Sequence, residues 1–152
     1  MVRLQPMNRN EFEKFYEASI TNYANEKVLA GNWKEEESVE KSKEEFSNLL
    51  PEGRGTKNHY LYTIVNDQGE NIGVIWLARE TDEKGFIYDI NIDKEHQGCG
   101  HGEKAMRRME EEAGRLGMKK IGLHVFGHNT VARSLYEKLG YQKTNIVMEK
   151  FI

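Results

Sequence analysis

The segment Gln97–Gly102 holds three of the chain's 14 glycines, and its two flanks constrain the fold most. Residues 86–92 before it have the aromatic and β-branched composition of a strand. After it, apolar side chains recur at helical spacing from about residue 103 to residue 116, and residues 119–126 are typical of a second strand. A strand, a helix and a strand in this order predict a βαβ unit with two parallel strands.

The other predicted elements complete a mixed sheet. They are a short strand (Val2–Gln5), a helix that begins at an Asn8/Glu11 capping box and ends at Gly31, a helix over Lys34–Leu50, a hairpin of two strands (Tyr60–Val65 and Ile72–Arg79), a helix over Thr130–Leu139 and a last strand over Gln142–Phe151. With no repeat or linker, we expect a single domain over residues 1–152. The predicted class is α/β, a mixed and mostly antiparallel twisted sheet with helices on both faces.

Charge and hydropathy exclude several functions. The 22 Lys and Arg stand against 25 Asp and Glu, a net charge of −3, with no basic block that would bind nucleic acid through its phosphates. No apolar run is long enough to span a membrane, so we expect no membrane partner. The N-terminal residues lack the apolar core of a signal peptide, and a single cysteine, Cys99, suits a reducing compartment. These features predict a cytoplasmic protein.

The glycine-rich loop has the chemistry of an anion site. Glycine lets a ligand approach the backbone closely, and the free N–H groups and dipole of a helix N-terminus favour negative charge. The spacing fits neither a Walker loop nor a dinucleotide-binding fingerprint, since the order is Gly-x-Gly-x-Gly and Met118, Lys119 and Lys120 stand where an acidic residue is required. A flexible turn between strand and helix is the alternative interpretation.

Two segments carry a family resemblance. Ile90-Asn91-Ile92-Asp93 followed by Gln97-Gly98-Cys99-Gly100-His101-Gly102 resembles the apolar strand and Gln/Arg-x-x-Gly-x-Gly/Ala loop of the GNAT superfamily of acyl-CoA N-acyltransferases. Residues 129–141 resemble that family's Asn-x-x-Ala-x-x-Leu-Tyr-x-x-x-Gly-Phe/Tyr block. The motif layout is similar to that of the ribosomal-protein N-terminal acetyltransferases, and parts of the chain look similar to uncharacterised bacterial members. The resemblance implies an acetyl-CoA-dependent N-acetyltransferase with the βαβ unit at its cofactor site.

The resemblance also implies which residues bind the acyl donor, acetyl-CoA. The pyrophosphate of CoA would lie on the loop, its pantetheine arm along residues 90–92, and Asn129 on the other side, where the alternative role is a helix N-cap. The expected cofactor-binding residues are Ile90, Asn91, Ile92, Gln97, Gly98, Cys99, Gly100, His101, Gly102 and Asn129. No metal is expected, because His96, Cys99 and His101 lack the spacing of a zinc site.

Two proton transfers accompany attack of a neutral amine on a thioester. Tyr136 occupies the family position of the general acid, and a core aromatic is the alternative interpretation. His124 stands where some relatives have a catalytic Glu, so either His124 or a water is the expected base. The alternative interpretation is that His124 is a neutral histidine packed on the sheet. Asp89 is a weaker candidate because strand alternation does not fix its direction. Direct acyl transfer disfavours Cys99 as a nucleophile.

The leading function is transfer of an acetyl group to a primary amine of an acceptor that the sequence does not identify, either a small molecule or a protein amine. We expect the acceptor pocket between the first two helices, where Tyr23, Trp33, Tyr60 and Trp76 are candidate lining residues or core aromatics. A non-catalytic CoA-binding sensor or scaffold is the alternative function, and a nucleotide-binding regulator is a third. The family resemblance also suggests a homodimer.

Overall fold

Five strands form one sheet whose spatial order, β1-β2-β3-β4-β5, is also their order along the chain. The computed structural model describes residues 1–152. The strands are β1 (Arg3–Pro6), β2 (His59–Val65), β3 (Asn71–Arg79), β4 (Lys84–Ile92) and β5 (Lys120–Leu123); the helices are α1 (Arg9–Leu29), α2 (Glu35–Leu49), α3 (His101–Arg115) and α4 (Thr130–Lys138). The first four strands pair antiparallel, and β4 pairs parallel with β5. The predicted α/β class and βαβ unit are confirmed.

The sheet separates two apolar cores, because alternate residues of its strands face opposite sides. On one side Ile75 and Leu77 of β3 join the buried stripe of α3, which includes Met106 and Met109. On the other side Trp76 of β3 packs with aromatic and aliphatic residues of α1 and α2, chiefly Phe15, Ile20 and Phe46. Helices therefore cover both faces, as the sequence predicts.

Local sequence signals set the start of α1. The side chain of Asn8 accepts a hydrogen bond from the Glu11 N–H (2.8 Å), and the Glu11 carboxylate accepts one from the Asn8 N–H (2.9 Å). This is the predicted capping box, which satisfies two backbone donors that the helix leaves free. α1 in turn packs along α2, and together they form the wall above Trp76.

Three predicted boundaries differ from the structure. The last strand predicted over Gln142–Phe151 is wrong: this segment has no strand partner and every residue in it is exposed. The strand predicted over residues 119–126 ends at Leu123, so His124 lies just beyond it. The helix predicted from residue 103 begins at His101, because the left-handed backbone of Gly100 (φ 81°) allows the chain to turn into the helix there.

A β-bulge interrupts the pairing of β3 with β4. Trp76 lies opposite Asp89, but the next residue, Leu77, lies opposite Ile87, so Tyr88 is the extra residue of β4. A bulge of this kind changes which face the following side chains point to.

None of the helices has both the length and the apolar composition needed to cross a bilayer.

Candidate functional site

β4 and β5 separate half-way along β4. Their parallel pairing runs over four residue pairs and stops at Ile87 opposite Leu123. Beyond that point, β4 continues to Ile92 in contact with β3 alone, while the chain after Leu123 leaves the sheet. The edge of residues 88–92 that faces away from β3 therefore has no strand partner. An open strand edge offers backbone donors and acceptors to an extended, peptide-like ligand.

The bulge fixes which side chains of β4 face the two cores. Phe86 and Tyr88 contact each other, with ring centroids 4.8 Å apart, and Tyr88 stacks on Trp76 at 4.7 Å on the α1–α2 side. Ile90 and Ile92 would share that face in a regular strand, but they pack in the core on the α3 side. The parity of the strand has therefore changed at the bulge.

The loop after β4 leaves a row of backbone donors free. The N–H groups of residues 98–103 donate to no acceptor within the chain, and the first helical bond made from this end of α3 runs from the Lys104 N–H to the Gly100 carbonyl (3.2 Å). The N-cap of α3 is Gly100, which has no side chain to cap it, whereas Asn8 and Asn129 cap α1 and α4. A row of free amides at a helix N-terminus is an anion site.

The three glycines of this loop differ in what requires them. Gly98 and Gly100 have φ values of 78° and 81°, in the left-handed region that residues with a Cβ rarely adopt. Gly102 lies within the first turn of α3, and a Cβ there would meet Leu135 at 3.4 Å, which is ordinary contact. The backbone conformation therefore favours glycine at Gly98 and Gly100, whereas at Gly102 the structure shows no such requirement.

The other side chains of the loop support it or face outwards. Gln97 donates from its amide to the Ile92 carbonyl (2.8 Å), so it closes the end of β4. Cys99 is exposed, with Sγ 3.8 Å from the Gln97 carbonyl oxygen. The Nδ1 atom of His101 is buried without a hydrogen-bond partner in the chain. No three His, Cys, Asp or Glu side chains lie close enough to share a metal ion.

Tyr136 and Asp89 are two groups with raised pKa values, and Asp89 lies near the point where β4 and β5 separate. Burial raises the pKa of Tyr136 to about 12, and the charge of Asp89 adds to that rise. Burial likewise raises the pKa of Asp89 to about 6, against the opposing effect of the nearby Ile90 backbone N–H. One group therefore keeps its proton at neutral pH, whereas the other titrates just below neutrality. Such a pair of separated pKa values is suited to acid–base work.

His124 lies beyond β5 and is exposed, whereas the last three residues of β5 are partly buried. Its ring meets Phe126 edge-on, with centroids 4.9 Å apart. Partial burial and the nearby charge of Lys27 lower its pKa, so His124 is mainly neutral at pH 7. It is therefore in the protonation state of a base.

A cavity of about 400 Å³ opens between α1, α2 and the sheet. Its walls are mostly apolar and aromatic; the lining residues are Tyr23, Glu45, Phe46, Asn48, Leu49, Trp76 and Tyr88. Trp76 is anchored by a hydrogen bond from its indole N–H to His59 Nδ1 (2.9 Å). Glu45 supplies the carboxylate, and burial together with this nearby carboxylate raises the pKa of Tyr23. The cavity has the size and composition of a small-molecule site.

These features match a known family over most of the chain. The model of the Acetyltransferase (GNAT) family matches residues 14–141, which include the separated strands, the glycine-rich loop and Tyr136. The chain belongs to this family.

Several GNAT proteins are similar over almost the full length. The uncharacterized N-acetyltransferases YdgE and YycN of Bacillus subtilis (strain 168) are 39% and 36% identical to this chain; the alignments cover 97% and 98% of it, and 96% and 97% of the two relatives. The crystal structure of YycN has a TM-score of 0.97, covering 100% of this chain and 99% of that one. Spermidine N-acetyltransferase from Vibrio cholerae, solved with CoA and spermine, has a TM-score of 0.69 at 22% identity. This match covers 99% of the present chain and 86% of the V. cholerae protein. These relatives support an acyltransferase.

The structure gathers most of the residues that the sequence predicts for a GNAT site. The strand residues Ile90, Asn91 and Ile92 lie on the unpaired part of β4, and Gln97–Gly102 follow directly. Asn129 occupies the alternative position considered for it, the N-cap of α4, where its side chain accepts from the Ala132 N–H (3.2 Å). Its role toward CoA stays a prediction, as do the catalytic roles of Tyr136 and His124.

Sequence reasoning missed part of the site. Tyr23 and Trp76 line the cavity as expected, but Trp33 packs on the outside of Tyr23, and Tyr60 packs against the α3-side core. Glu45 was indistinguishable from the other acidic residues of a charged helix, and Tyr88 reaches the cavity because of the bulge. The period of α2, which buries Phe46, is the only sequence signal that would have placed Glu45 beside a core position.

Proposed function

We propose that this GNAT protein transfers the acetyl group of acetyl-CoA directly to the primary amine of a small molecule whose apolar part occupies the aromatic cavity. The observation that carries the proposal is the course of β4. This one strand holds Tyr88 in the cavity and carries Asp89, whose charge acts on Tyr136, and its free edge leads to the glycine-rich loop. Acceptor, proton-transfer groups and donor would then meet along a single strand.

The chain offers a fitting site for CoA. The free N–H groups of residues 98–103 would bind the pyrophosphate, and the open edge of residues 88–92 would pair with the amide-containing pantetheine arm. Because its φ of 81° disfavours residues with a Cβ, position 100 is a glycine, and no side chain stands next to these amides. Acetyl-CoA supplies the thioester, whose acetyl group passes to the amine nitrogen as the carbon–sulfur bond breaks.

Tyr136 is the proposed general acid. Its pKa of about 12 keeps the phenol protonated at every physiological pH, so the proton is available when negative charge develops on the departing sulfur. A thiol with a pKa of about 8.5 is a better leaving group when a donor is present. Partial burial of Tyr136 restricts water around this donor.

Asp89 is the proposed general base, acting directly or through a water. An amine with a pKa of about 10.4 is almost wholly protonated at neutral pH, and it must lose one proton before attack and another afterwards. A carboxylate with a pKa of about 6 is ionised at pH 7.5 and is a stronger base than an ordinary aspartate. His124 is the competing candidate, and its more exposed position beside Lys27 favours it less.

The cavity favours an acceptor with one cationic end and an apolar body. Aromatic faces stabilise both apolar groups and cations, while the carboxylate of Glu45 attracts the ammonium form. The V. cholerae relative binds spermine, a polyamine. The cavity here has a single carboxylate among five hydrophobic lining residues, so we expect arylalkyl and alkyl monoamines to be better acceptors than polyamines.

Two measurements test this proposal. A thermal-shift assay should show stabilisation by CoA and acetyl-CoA, and none by ATP or NAD at equal concentration. An acceptor panel of phenethylamine-like amines, alkylamines, polyamines, aminoglycosides and peptides is then assayed with acetyl-CoA by the release of free thiol. Absence of stabilisation by acetyl-CoA would contradict the donor site. Turnover with peptides or polyamines alone would contradict the assigned acceptor class.

A further inference from the structure

Trp76 lines the aromatic cavity from the sheet, and its orientation depends on one polar contact. The side chain is 1% exposed, and its indole N–H donates to Nδ1 of His59 (2.9 Å). An indole N–H can only donate, and a buried donor without an acceptor is costly. The position of the indole ring is therefore tied to His59.

His59 is in the state that this contact requires. Burial lowers its pKa, so the ring is neutral at pH 7, and Nδ1 keeps a lone pair while Nε2 carries the proton. The ring also packs against Trp76 and Tyr88, with centroids 5.8 and 5.9 Å apart. His59 itself is not among the residues that line the cavity, so it would act on a ligand there only through its neighbours.

Trp76 lies opposite the β-bulge of β4. Two consecutive residues of β4, Tyr88 and Asp89, are set against this one residue of β3. The indole stacks on the Tyr88 ring, with centroids 4.7 Å apart, and Tyr88 lines the cavity as well. The orientation of the Trp76 ring therefore affects two aromatic walls of the cavity at once.

We propose that His59 is a positioning residue for the amine acceptor: it holds the Trp76 indole, and the indole holds the Tyr88 ring. This inference rests on the proposed function, because it takes the cavity as the acceptor site. The strand register places His59 level with Ala78 and Phe86, at the opposite end of β4 from the glycine-rich loop. His59 should therefore affect the binding of the amine and leave the binding of CoA unchanged.

The expected effect follows from what the indole does without its acceptor. A buried N–H that loses its partner must rotate toward water or another acceptor, and the Tyr88 ring then loses its stacking surface. A displacement of about 1 Å at a binding site can cost about a hundredfold in rate or affinity. Removal of the acceptor atom should therefore be measurable in the affinity for the amine.

The test compares two substitutions of His59 in the full-length protein. His59→Leu has a similar volume but no acceptor, whereas His59→Asn places a carbonyl oxygen near the position of Nδ1. Phenethylamine is titrated by calorimetry into each protein saturated with CoA, which carries no acetyl group, so nothing reacts. We expect His59→Leu to raise the Kd for phenethylamine at least about tenfold and His59→Asn to stay within about threefold of wild type. The Kd for CoA should stay within about twofold in both.

Two further variants separate positioning from a general loss of stability. Tyr141→Phe loses a hydrogen bond of similar length (2.8 Å, to Glu110) on the α3 side, and it should keep its affinity for phenethylamine. Trp76→Phe removes the indole N–H that His59 holds. In the Trp76→Phe background, His59→Leu should therefore change the Kd for phenethylamine by less than about twofold.

Several outcomes would overturn the inference. They are a wild type that does not bind phenethylamine, equal amine affinity in wild type and His59→Leu, and an equal loss in His59→Leu and Tyr141→Phe. If His59→Leu does not fold, the double variant decides, because it leaves no indole donor unpaired. An affinity equal to that of Trp76→Phe supports the inference, and a further loss of about tenfold overturns it. Failure of the proposed function is seen separately, as a wild type that binds phenethylamine but releases no thiol from acetyl-CoA with any amine of the panel.

Discussion

At the scale of single residues, Tyr136 gives the sharpest test of the chemistry. Replacing it with Phe keeps the packing but removes the proton that the leaving thiolate needs. We expect Tyr136→Phe to lower kcat by about a hundredfold, with the Kd for CoA within about twofold of wild type, because general acids contribute about 10²–10⁴-fold. Stopped-flow or thiol-release kinetics with isothermal titration of CoA measure both.

Tyr141→Phe is the matched control for that variant. The two rings are neighbours, with centroids 6.0 Å apart, and the Tyr141 hydroxyl donates to Glu110 (2.8 Å) on α3 instead of facing the site. We expect this variant to lose about 1 kcal/mol of stability and to keep its kcat. Equal turnover of Tyr136→Phe and wild type would remove Tyr136 from the mechanism.

Asp89 connects the rate to pH. With the proposed base at a pKa of about 6, kcat of the wild type should rise through about pH 6, and Asp89→Asn should lose this rise together with most of its rate. Burial and the charge of Lys27 lower the pKa of His124, so it too would lose its proton below neutral pH, and the pH profile alone does not separate the two candidates. The two variants separate the candidates. His124→Gln should keep the rise in kcat with pH; if His124→Gln loses this rise, the base is His124.

The same substitution should stabilise the fold. The pKa of Asp89 is raised from 3.8 to about 6 on folding, so the folded state disfavours the carboxylate, and the protein loses stability as the pH rises from about 4 through 6. The free energy of unfolding of Asp89→Asn should therefore be about 1–3 kcal/mol larger than that of the wild type at pH 7.5. At pH 3.5 the two free energies should be nearly equal. Urea unfolding at both pH values measures this, and equal stability at pH 7.5 would contradict the burial of the carboxyl group.

At the scale of elements, the start of α3 separates a binding role from a folding role. Gly100→Ala places a Cβ on a left-handed backbone (φ 81°) next to the free amides. Gly117→Ala also places a Cβ on a left-handed backbone (φ 90°), but at the other end of the helix, away from those amides. Both should lose about 1–2 kcal/mol of stability. Only Gly100→Ala should also weaken CoA binding, by about tenfold in titration calorimetry. Equal CoA affinity in the two variants would contradict the anion site.

The elements also show what the sequence could and could not predict. The Asn8/Glu11 capping box, the Gly69 turn of the hairpin (φ 78°) and the βαβ unit are set by short-range patterns, and the structure confirms them. Short-range patterns do not set the direction of the Asp89 side chain. The bulge at Tyr88 depends on how β3 and β4 pair, and a period-2 pattern cannot show one extra residue. The cavity likewise depends on which faces of α1 and α2 meet.

At the scale of the whole molecule, the wrongly predicted last strand has a physical reason. Residues 142–151 contain β-branched and aromatic residues typical of a strand, but such a local pattern does not say whether a partner strand lies within reach. Element order and the two cores follow from local periodicity, since consecutive elements are usually neighbours.

The short pairing of β4 with β5 has a consequence for the lifetime of the protein. β5 is an edge strand that pairs with β4 over only four residue pairs, so its opening should require less than global unfolding. A donor molecule held between the two strands would bridge them, and degradation by proteases that cut opened segments should slow as the acetyl-CoA concentration rises. The abundance of the enzyme would then follow the supply of the acyl group that it uses.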